Sequence, residues 1–199
     1  YFENLREYVD SLEKEGQLKR ITTKVSAELE IAEILRRVMY ENGPAVLFEN
    51  VEGYDIPVLG NAFGSLRRLK LALDIENFED IGERVTALTR LKMPHGLLNK
   101  FKMLPKLSEI SDYGPKSISS GPVTEIIETN NPTLDNLPVI KSFPNDSGRF
   151  ITFGITVSKN PETDVRNMGV YRLQLIGPKK AIMHWQIHKR GAHHFQISK

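Results

Sequence analysis

The chain has 199 residues, with 27 Lys and Arg against 25 Asp and Glu, and it contains no cysteine. A formal charge of +2 offers no footprint for nucleic acid, and the missing thiols exclude disulfides, thiolate catalysis and thiolate metal sites. With 40% hydrophobic and 26% charged residues, the composition also excludes a disordered tail, a collagen-like repeat and a coiled coil.

No apolar run approaches the ~20 residues of a membrane span, and no basic start leads into an apolar segment as in a secretory signal. A cytoplasmic protein is the expectation.

Phe2, Leu5, Tyr8, Val9 and Leu12 recur at helical spacing, which predicts a helix over 1–15 stopped by Gly16. Residues 17–25 read as a short strand. Ser26 is placed to cap a second helix whose apolar stripe is Leu29, Ile31, Ile34, Leu35 and Val38, ended by Gly43-Pro44. Ala45 to Phe48 reads as a buried strand and 57–59 as another. A helix follows from Ser65 to Leu73, then one from Phe78 to Leu91, broken at Met93-Pro94-His95-Gly96. Strands alternating with helices predict an α/β domain over 1–110.

Residues 111–121 read as a connector. The apolar-basic segment with Lys100, Lys102 and Lys106 reads as a solvated face, and His95 as structural. From Pro122 the pattern changes. Strands are predicted at 123–129, 150–158, 168–175 and 181–186, with an extended piece at 137–140. Closely spaced strands joined by Gly177-Pro178 predict an antiparallel sheet or part of a barrel over 122–199. About 78 residues are few for a closed barrel, so an incomplete domain is the first expectation and pairing with another chain the second.

Four of the five histidines, His184, His188, His193 and His194, fall within eleven residues. His184, Gln186 and His188 share one parity, so a strand through them points all three to one side. Lys189 and Arg190 follow, and Asn167 and Arg172 precede them on the neighbouring strand. Imidazole and an amide oxygen can ligate a divalent ion, while Arg and Lys can hold phosphate. The competing reading is a charged hairpin with ordinary surface histidines. Gly60-Asn61-Ala62-Phe63-Gly64-Ser65 matches no nucleotide-binding loop and reads as a turn.

Longer motifs carry a family resemblance. Phe143-Pro144-Asn145-Asp146-Ser147-Gly148-Arg149-Phe150-Ile151-Thr152 is followed by Ser158-Lys159-Asn160-Pro161-Glu162-Thr163. Then come Arg166-Asn167-Met168-Gly169-Val170-Tyr171-Arg172-Leu173-Gln174 and Met183-His184-Trp185-Gln186-Ile187-His188-Lys189-Arg190-Gly191-Ala192. Together with Phe2-Glu3-Asn4-Leu5-Arg6 and Gly43-Pro44-Ala45-Val46-Leu47-Phe48, these resemble the UbiD family of reversible decarboxylases, across essentially the whole chain.

The resemblance implies an N-terminal α/β domain followed by part of a split β-barrel domain like that of flavin reductases, α+β overall. The chain then corresponds to the N-terminal half of a family chain and is inactive alone. It implies non-oxidative decarboxylation of an aromatic or α,β-unsaturated acid with prenylated FMN, a divalent ion, commonly Mn²⁺, and often K⁺. The default substrate is a 3-polyprenyl-4-hydroxybenzoate of quinone synthesis. The alternatives are trans-anhydromevalonate 5-phosphate of archaeal isoprenoid synthesis and a non-catalytic flavin-binding module.

By motif, Asn167 and His188 are the implied metal ligands. Val170, Tyr171 and Arg172, with His184, Trp185 and Gln186, are the implied cofactor contacts. Lys189 and Arg190 lie on the phosphate side, and Arg172 is the catalytic arginine that meets the substrate acid. The third metal ligand, a glutamate, and the acid that protonates carbon are expected beyond Lys199. The implied partners are a prenyl-FMN synthase that supplies the cofactor and further copies of the full-length protein.

Overall fold

The first helix, α1 (Leu5–Lys14), is held at both ends by its own sequence. The Asn4 side chain accepts from the Glu7 backbone N–H at 3.1 Å, and Glu7 returns a carboxylate oxygen to the Glu3 N–H at 2.9 Å. At the other end Gly16 takes φ +64, which lets Gln17 N–H reach Leu12 O at 2.7 Å and Gly16 N–H reach Glu13 O at 3.0 Å. Tyr8 and Leu12 form the buried stripe. This is a computed structural model, and it describes residues 2–89 and 117–199.

Strand β1 (Leu18–Ile21) pairs in parallel with β2 (Ala45–Phe48), Leu18 opposite Ala45, and β2 pairs antiparallel with β3 (Val58–Gly60). The crossover between β1 and β2 contains α2 (Glu30–Tyr40). All four β2 residues are buried, which is why the strand is a continuous apolar run without alternation. Val25, Ala27, Ile31, Val46, Phe48 and Val51 form the core, with Ile34, Leu35, Val38 and Val58 packed on it.

Helix α2 starts three residues later than the Ser26 cap predicts. Leu29 is the N-cap at φ +68 and makes no side-chain cap. Ser26 instead closes a local turn: its hydroxyl accepts from Glu28 N–H at 3.1 Å, and its own N–H donates to the Glu30 carboxylate at 2.7 Å.

On the solvent side of α2, Arg36 and Arg37 donate to Glu33 at 2.7 and 2.8 Å. Those hydrogen bonds, Arg36 first, hold the Glu33 carboxyl down at about 2, below its ordinary 4.5. The stability this gives is complete above pH 4.5 and is lost as pH falls through about 2. The melting temperature of Glu33→Gln is therefore expected to fall less steeply than wild type across that window, with the difference shrinking in 1 M salt, about 3 Å of screening length. Parallel acid limbs in thermal melts rule this out.

The Gly60–Ser65 segment is a turn, as read. Its Asn61 amide donates to Gly43 O at 3.1 Å and Pro44 O at 2.9 Å, tying the turn to the start of β2. Helix α3 (Leu66–Leu73) follows, then α4 (Glu79–Thr89). Arg68 is only 1% exposed, and burial pulls its pKa down. One guanidinium nitrogen reaches Gln17 Oε1 at 3.4 Å, while Nε and Nη2 have no partner among the described residues. The predicted end of α4 at Leu91, the break at 93–96, His95, Lys100, Lys102, Lys106 and residues 111–116 of the connector lie outside the described residues.

The strand predicted at 123–129 is not formed. Pro122 starts a single 3₁₀ turn, Pro122–Thr124, and the Thr124 hydroxyl closes it by donating to Gly121 O at 2.8 Å. Apolar composition at Ile126 and Ile127 suggested a strand, but among the described residues no strand offers them a ladder. The predicted extended piece at 137–140 leads to Lys141, whose backbone bridges Ala27 and Leu29 and whose ammonium meets Glu28 at 3.2 Å.

The second sheet has the order β4 (Phe150–Lys159), β5 (Arg166–Gly177), β6 (Lys180–Met183), all antiparallel. It ends in α5 (Arg190–Ile197). Helices and these two small sheets make the chain an α+β protein. By backbone contacts the described residues form two compact units, one of Leu69–Thr129 and one of Phe2–Arg68 with Asn130–Lys199. Among the described residues, no helix is long and apolar enough to cross a membrane.

Candidate active site

Strand β5 organises the site because its two faces carry different chemistry. Asn167, Tyr171 and Leu175 share one face, and Met168, Val170, Arg172 and Gln174 share the other. The five-residue step from Asn167 to Arg172 therefore sends the two to opposite faces. Asn167 is therefore not brought to the side of Arg172.

The face of Arg172 is open. His184 continues the β5–β6 ladder by one residue, its N–H donating to Arg172 O at 2.9 Å, which sets the two residues side by side. Strand β6 itself ends at Met183, and 187–188 form a turn. The shared parity of His184, Gln186 and His188 consequently does not describe a strand: the chain turns before His188. Thr152, Val170, Tyr171, Arg172, His184, Gln186 and Lys189 line a cleft of about 300 Å³. A second cavity of about 200 Å³ shares Arg172 and His184 and adds Phe150, Gln174, Ile182, Met183 and Trp185.

No carboxylate is among these lining residues, so the cleft is cationic. The Arg172 guanidinium makes no hydrogen bond or ion pair with any described residue and lies 5.2 Å from the Phe150 ring centroid. Lys189 is committed differently. Its ammonium donates to Val170 O at 2.9 Å and lies 5.0 Å from the Tyr171 ring centroid, pinning the start of α5 to β5.

The face of Asn167 is covered by α5. Tyr171 Oη accepts from Gly191 N–H at 2.9 Å, its ring meets Trp185 edge-on at 5.7 Å, and Trp185 stacks on Phe195 at 5.1 Å. Gly191 is required at this contact, because a Cβ there would overlap Tyr171 Oη and come within 2.8 Å of its Cζ. Ser158 Oγ and His194 Nδ1 are 3.1 Å apart, and Ser158 pairs with Asn167 across the ladder. Asn167 Nδ2 is buried without a hydrogen-bond partner among the described residues. His188 and Arg190 are exposed.

The unpartnered atom of Asn167 is its donor nitrogen, which cannot ligate a cation; a divalent ion would need the amide oxygen of Asn167, the His188 imidazole and a carboxylate. Among the described residues, no group of three His, Asp or Glu forms a metal cluster. The open cationic cleft suits an anionic, partly aromatic ligand.

Sequence reading missed Phe150, Thr152 and the Ser158–His194 pair. Phe150-Ile151-Thr152-Phe153-Gly154 breaks strict alternation next to a strand glycine, which was an available signal for irregular pairing.

A mixed sheet followed by an antiparallel sheet bearing a cationic cleft defines the class of fold, and family comparisons identify it. The 3-octaprenyl-4-hydroxybenzoate carboxy-lyase N-terminal domain matches residues 9–85, and the Rift-related domain of the same carboxy-lyase matches 116–199. The chain belongs to the UbiD family.

An uncharacterized protein of Aquifex aeolicus (strain VF5) is 44% identical over 200 residues, covering 100% of this chain and 41% of that protein. An uncharacterized protein of Archaeoglobus fulgidus is 42% identical over 195 residues, covering 98% of this chain and 40% of that protein. An evolved dimeric form of the UbiD-class enzyme HmfF from Pelotomaculum thermopropionicum, solved in complex with prFMN, superposes with a TM-score of 0.74 at 27% identity. It covers 98% of this chain and 41% of that one. Vanillic acid decarboxylase from Sedimentibacter hydroxybenzoicus in its closed form shares the fold, with a TM-score of 0.78 at 24% identity over 98% of this chain and 40% of that one. The chain thus spans about 40% of the length of these relatives.

Proposed function

We propose that this chain is the N-terminal part of a non-oxidative decarboxylase that acts on an aromatic or α,β-unsaturated carboxylic acid with prenylated FMN. The observation that carries the reading is the Arg172 guanidinium, unpaired among the described residues, in a cleft lined by no described carboxylate. The complex of HmfF with prFMN and the family's carboxy-lyase description support it. In this reading 1–110 is an α/β domain, 111–121 a connector, and 122–199 the first part of a split β-barrel.

When bound, prenylated FMN supplies the electron sink that loss of CO₂ requires and that ordinary side chains lack. The chain's own residues bind and orient. Arg172 takes the substrate carboxylate with its fork of donors. Val170, Tyr171, His184, Trp185 and Gln186 contact the flavin, and Lys189 and Arg190 supply positive charge on its phosphate side. Asn167 and His188 hold a divalent ion, Mn²⁺ by family habit with K⁺ nearby, together with a carboxylate from outside these 199 residues. A prenyl-FMN synthase is the cofactor supplier, and the functional protein is a homo-oligomer.

The test uses the protein expressed from its complete reading frame together with a prenyl-FMN synthase. Wild type is expected to retain flavin absorbance and bound metal, and to release CO₂ from a suitable unsaturated acid. His188→Ala is expected to lose metal and flavin together, by about tenfold or more in occupancy, as loss of a ligand weakens the whole site. A well-folded wild type that never retains flavin or metal sinks the reading. Retained flavin without turnover on any unsaturated acid points instead to a flavin-binding module.

A further inference from the structure

We propose that Asn42-Gly43 is a deamidation site that the end of α2 holds closed, so that it reacts only when that end opens. Glycine has no side chain to shield its backbone nitrogen. An Asn-Gly pair is therefore the least hindered place for a peptide nitrogen to attack a neighbouring side-chain amide. The sequence contains this pair once.

Both residues are called for by the fold. Helix α2 ends with a left-handed residue after its cap: Asn42 takes φ +53, and Gly43 N–H reaches back to Val38 O at 2.8 Å. Besides glycine, asparagine is a residue that visits this region readily. Position 43 has no room for a side chain, because a Cβ there would come within 2.9 Å of Val38 Cγ1 and 3.1 Å of Val38 O. The geometry that ends α2 thus writes a labile pair into the chain.

The same contacts protect it. In the reaction, Gly43 N loses its proton to a solvent base and attacks Asn42 Cγ. The new C–N bond closes a succinimide ring and ammonia leaves. Water then opens the ring at either carbonyl, giving aspartate or isoaspartate. In the folded chain the attacking nitrogen holds its proton on Val38 O, and its peptide is fixed from the other side as well. The Asn61 amide donates to Gly43 O at 3.1 Å and to Pro44 O at 2.9 Å. Just beyond, Ala45 is buried at the start of β2, and its N–H donates to Gln17 O at 2.9 Å. Isoaspartate lengthens the main chain at this point, so the product cannot restore both the α2 cap and the entry into β2.

The experiment ages the protein expressed from its complete reading frame in mildly alkaline buffer. A glutamate-specific protease then releases residues 42–49, which hold no other Asn or Gln, and mass spectrometry reads the conversion. Deamidation of the native protein is expected to be slower than that of urea-unfolded protein by about tenfold or more, a ratio set by local opening of the helix end. Asn61→Gly removes both ties and tolerates the φ of +53 at its own position; it is expected to speed the native reaction about fivefold. Asn42→Gly keeps the left-handed cap and is expected to hold its melting temperature through the same ageing, whereas wild type loses it in step with isoaspartate.

Equal rates in native and unfolded protein overturn the proposal, as does a native rate that Asn61→Gly leaves unchanged. If Asn61→Gly does not fold, wild type in urea below its unfolding transition decides. Deamidation that rises before the circular dichroism changes supports opening of the α2 end, and deamidation that waits for global unfolding overturns it.

Discussion

Arg172→Ala, in protein expressed from its complete reading frame, is expected to keep most of its flavin and to lose turnover by about 100-fold or more. The expectation follows from geometry. Arg172 makes no hydrogen bond or ion pair with any described residue, so among these residues its removal leaves no acid without its counter-charge. Its loss is felt by whatever anion enters the cleft. Removing one preorganised donor from a site where charge develops costs about 10²–10³ in kcat, roughly 3–4 kcal/mol. Arg172→Lys is expected to recover little, because an ammonium cannot reproduce the planar fork. Flavin absorbance and initial rates measured on the same preparation decide the matter. Near-wild-type turnover by a folded, flavin-loaded Arg172→Ala protein rules out the catalytic role and leaves Arg172 an ordinary surface cation.

Phe48→Ala is expected to destabilise the fold by about 3–5 kcal/mol, the range for deleting a buried phenyl ring, and to lower the melting temperature by about 10 °C. Phe48 is completely buried at the end of β2, among Val25, Ala27, Ile31, Val46 and Val51. Its neighbours are held by backbone pairing on two sides: β1 aligns Ile21 opposite Phe48, and β3 aligns Val58 opposite it. They cannot collapse into the vacated volume without breaking those ladders. Phe48→Leu, which leaves a smaller void, is expected to cost less than half as much. Urea melts followed by circular dichroism test both, and a loss under 1 kcal/mol for the alanine variant contradicts the assignment of this cluster as the main core.

The legible parts of the fold are those where local chemistry and tertiary context agree. Gly16 ends α1 because its backbone can take a positive φ, and the 45–48 run is buried on all sides. Ser26 misled because a serine hydroxyl caps a turn as readily as a helix, and the competing partner, Lys141, lies far along the chain. Pro122 misled because an apolar run cannot become a strand without a neighbour to pair with. At the site, the Val170–Arg172 and His184–Gln186 segments were legible from motif, and Arg172, His184 and Gln186 do share a cleft. The turn before His188, the opposite facing of Asn167 and the irregular pairing that sets Thr152 and Phe153 together against Arg172 depend on where strands stop and how they register. Composition does not encode these directly.

The two sheets close over very different lengths of chain. Gly177 pairs with Lys180 across a tight hairpin, whereas Leu18 must wait for Ala45, with α2 folded between them, before β1 has a parallel neighbour. Loop-closure entropy grows with the length enclosed, and contact order governs folding speed. The cleft-bearing β5–β6 ladder is thus a low-contact-order element, whose closure requires no contact from the N-terminal strands. The Tyr8–Phe63–Phe153 aromatic chain joins residues remote in sequence and belongs to the late, long-range class. The ladder that sets Arg172 beside His184 is in this sense local, while the Tyr8–Phe63–Phe153 contacts are global.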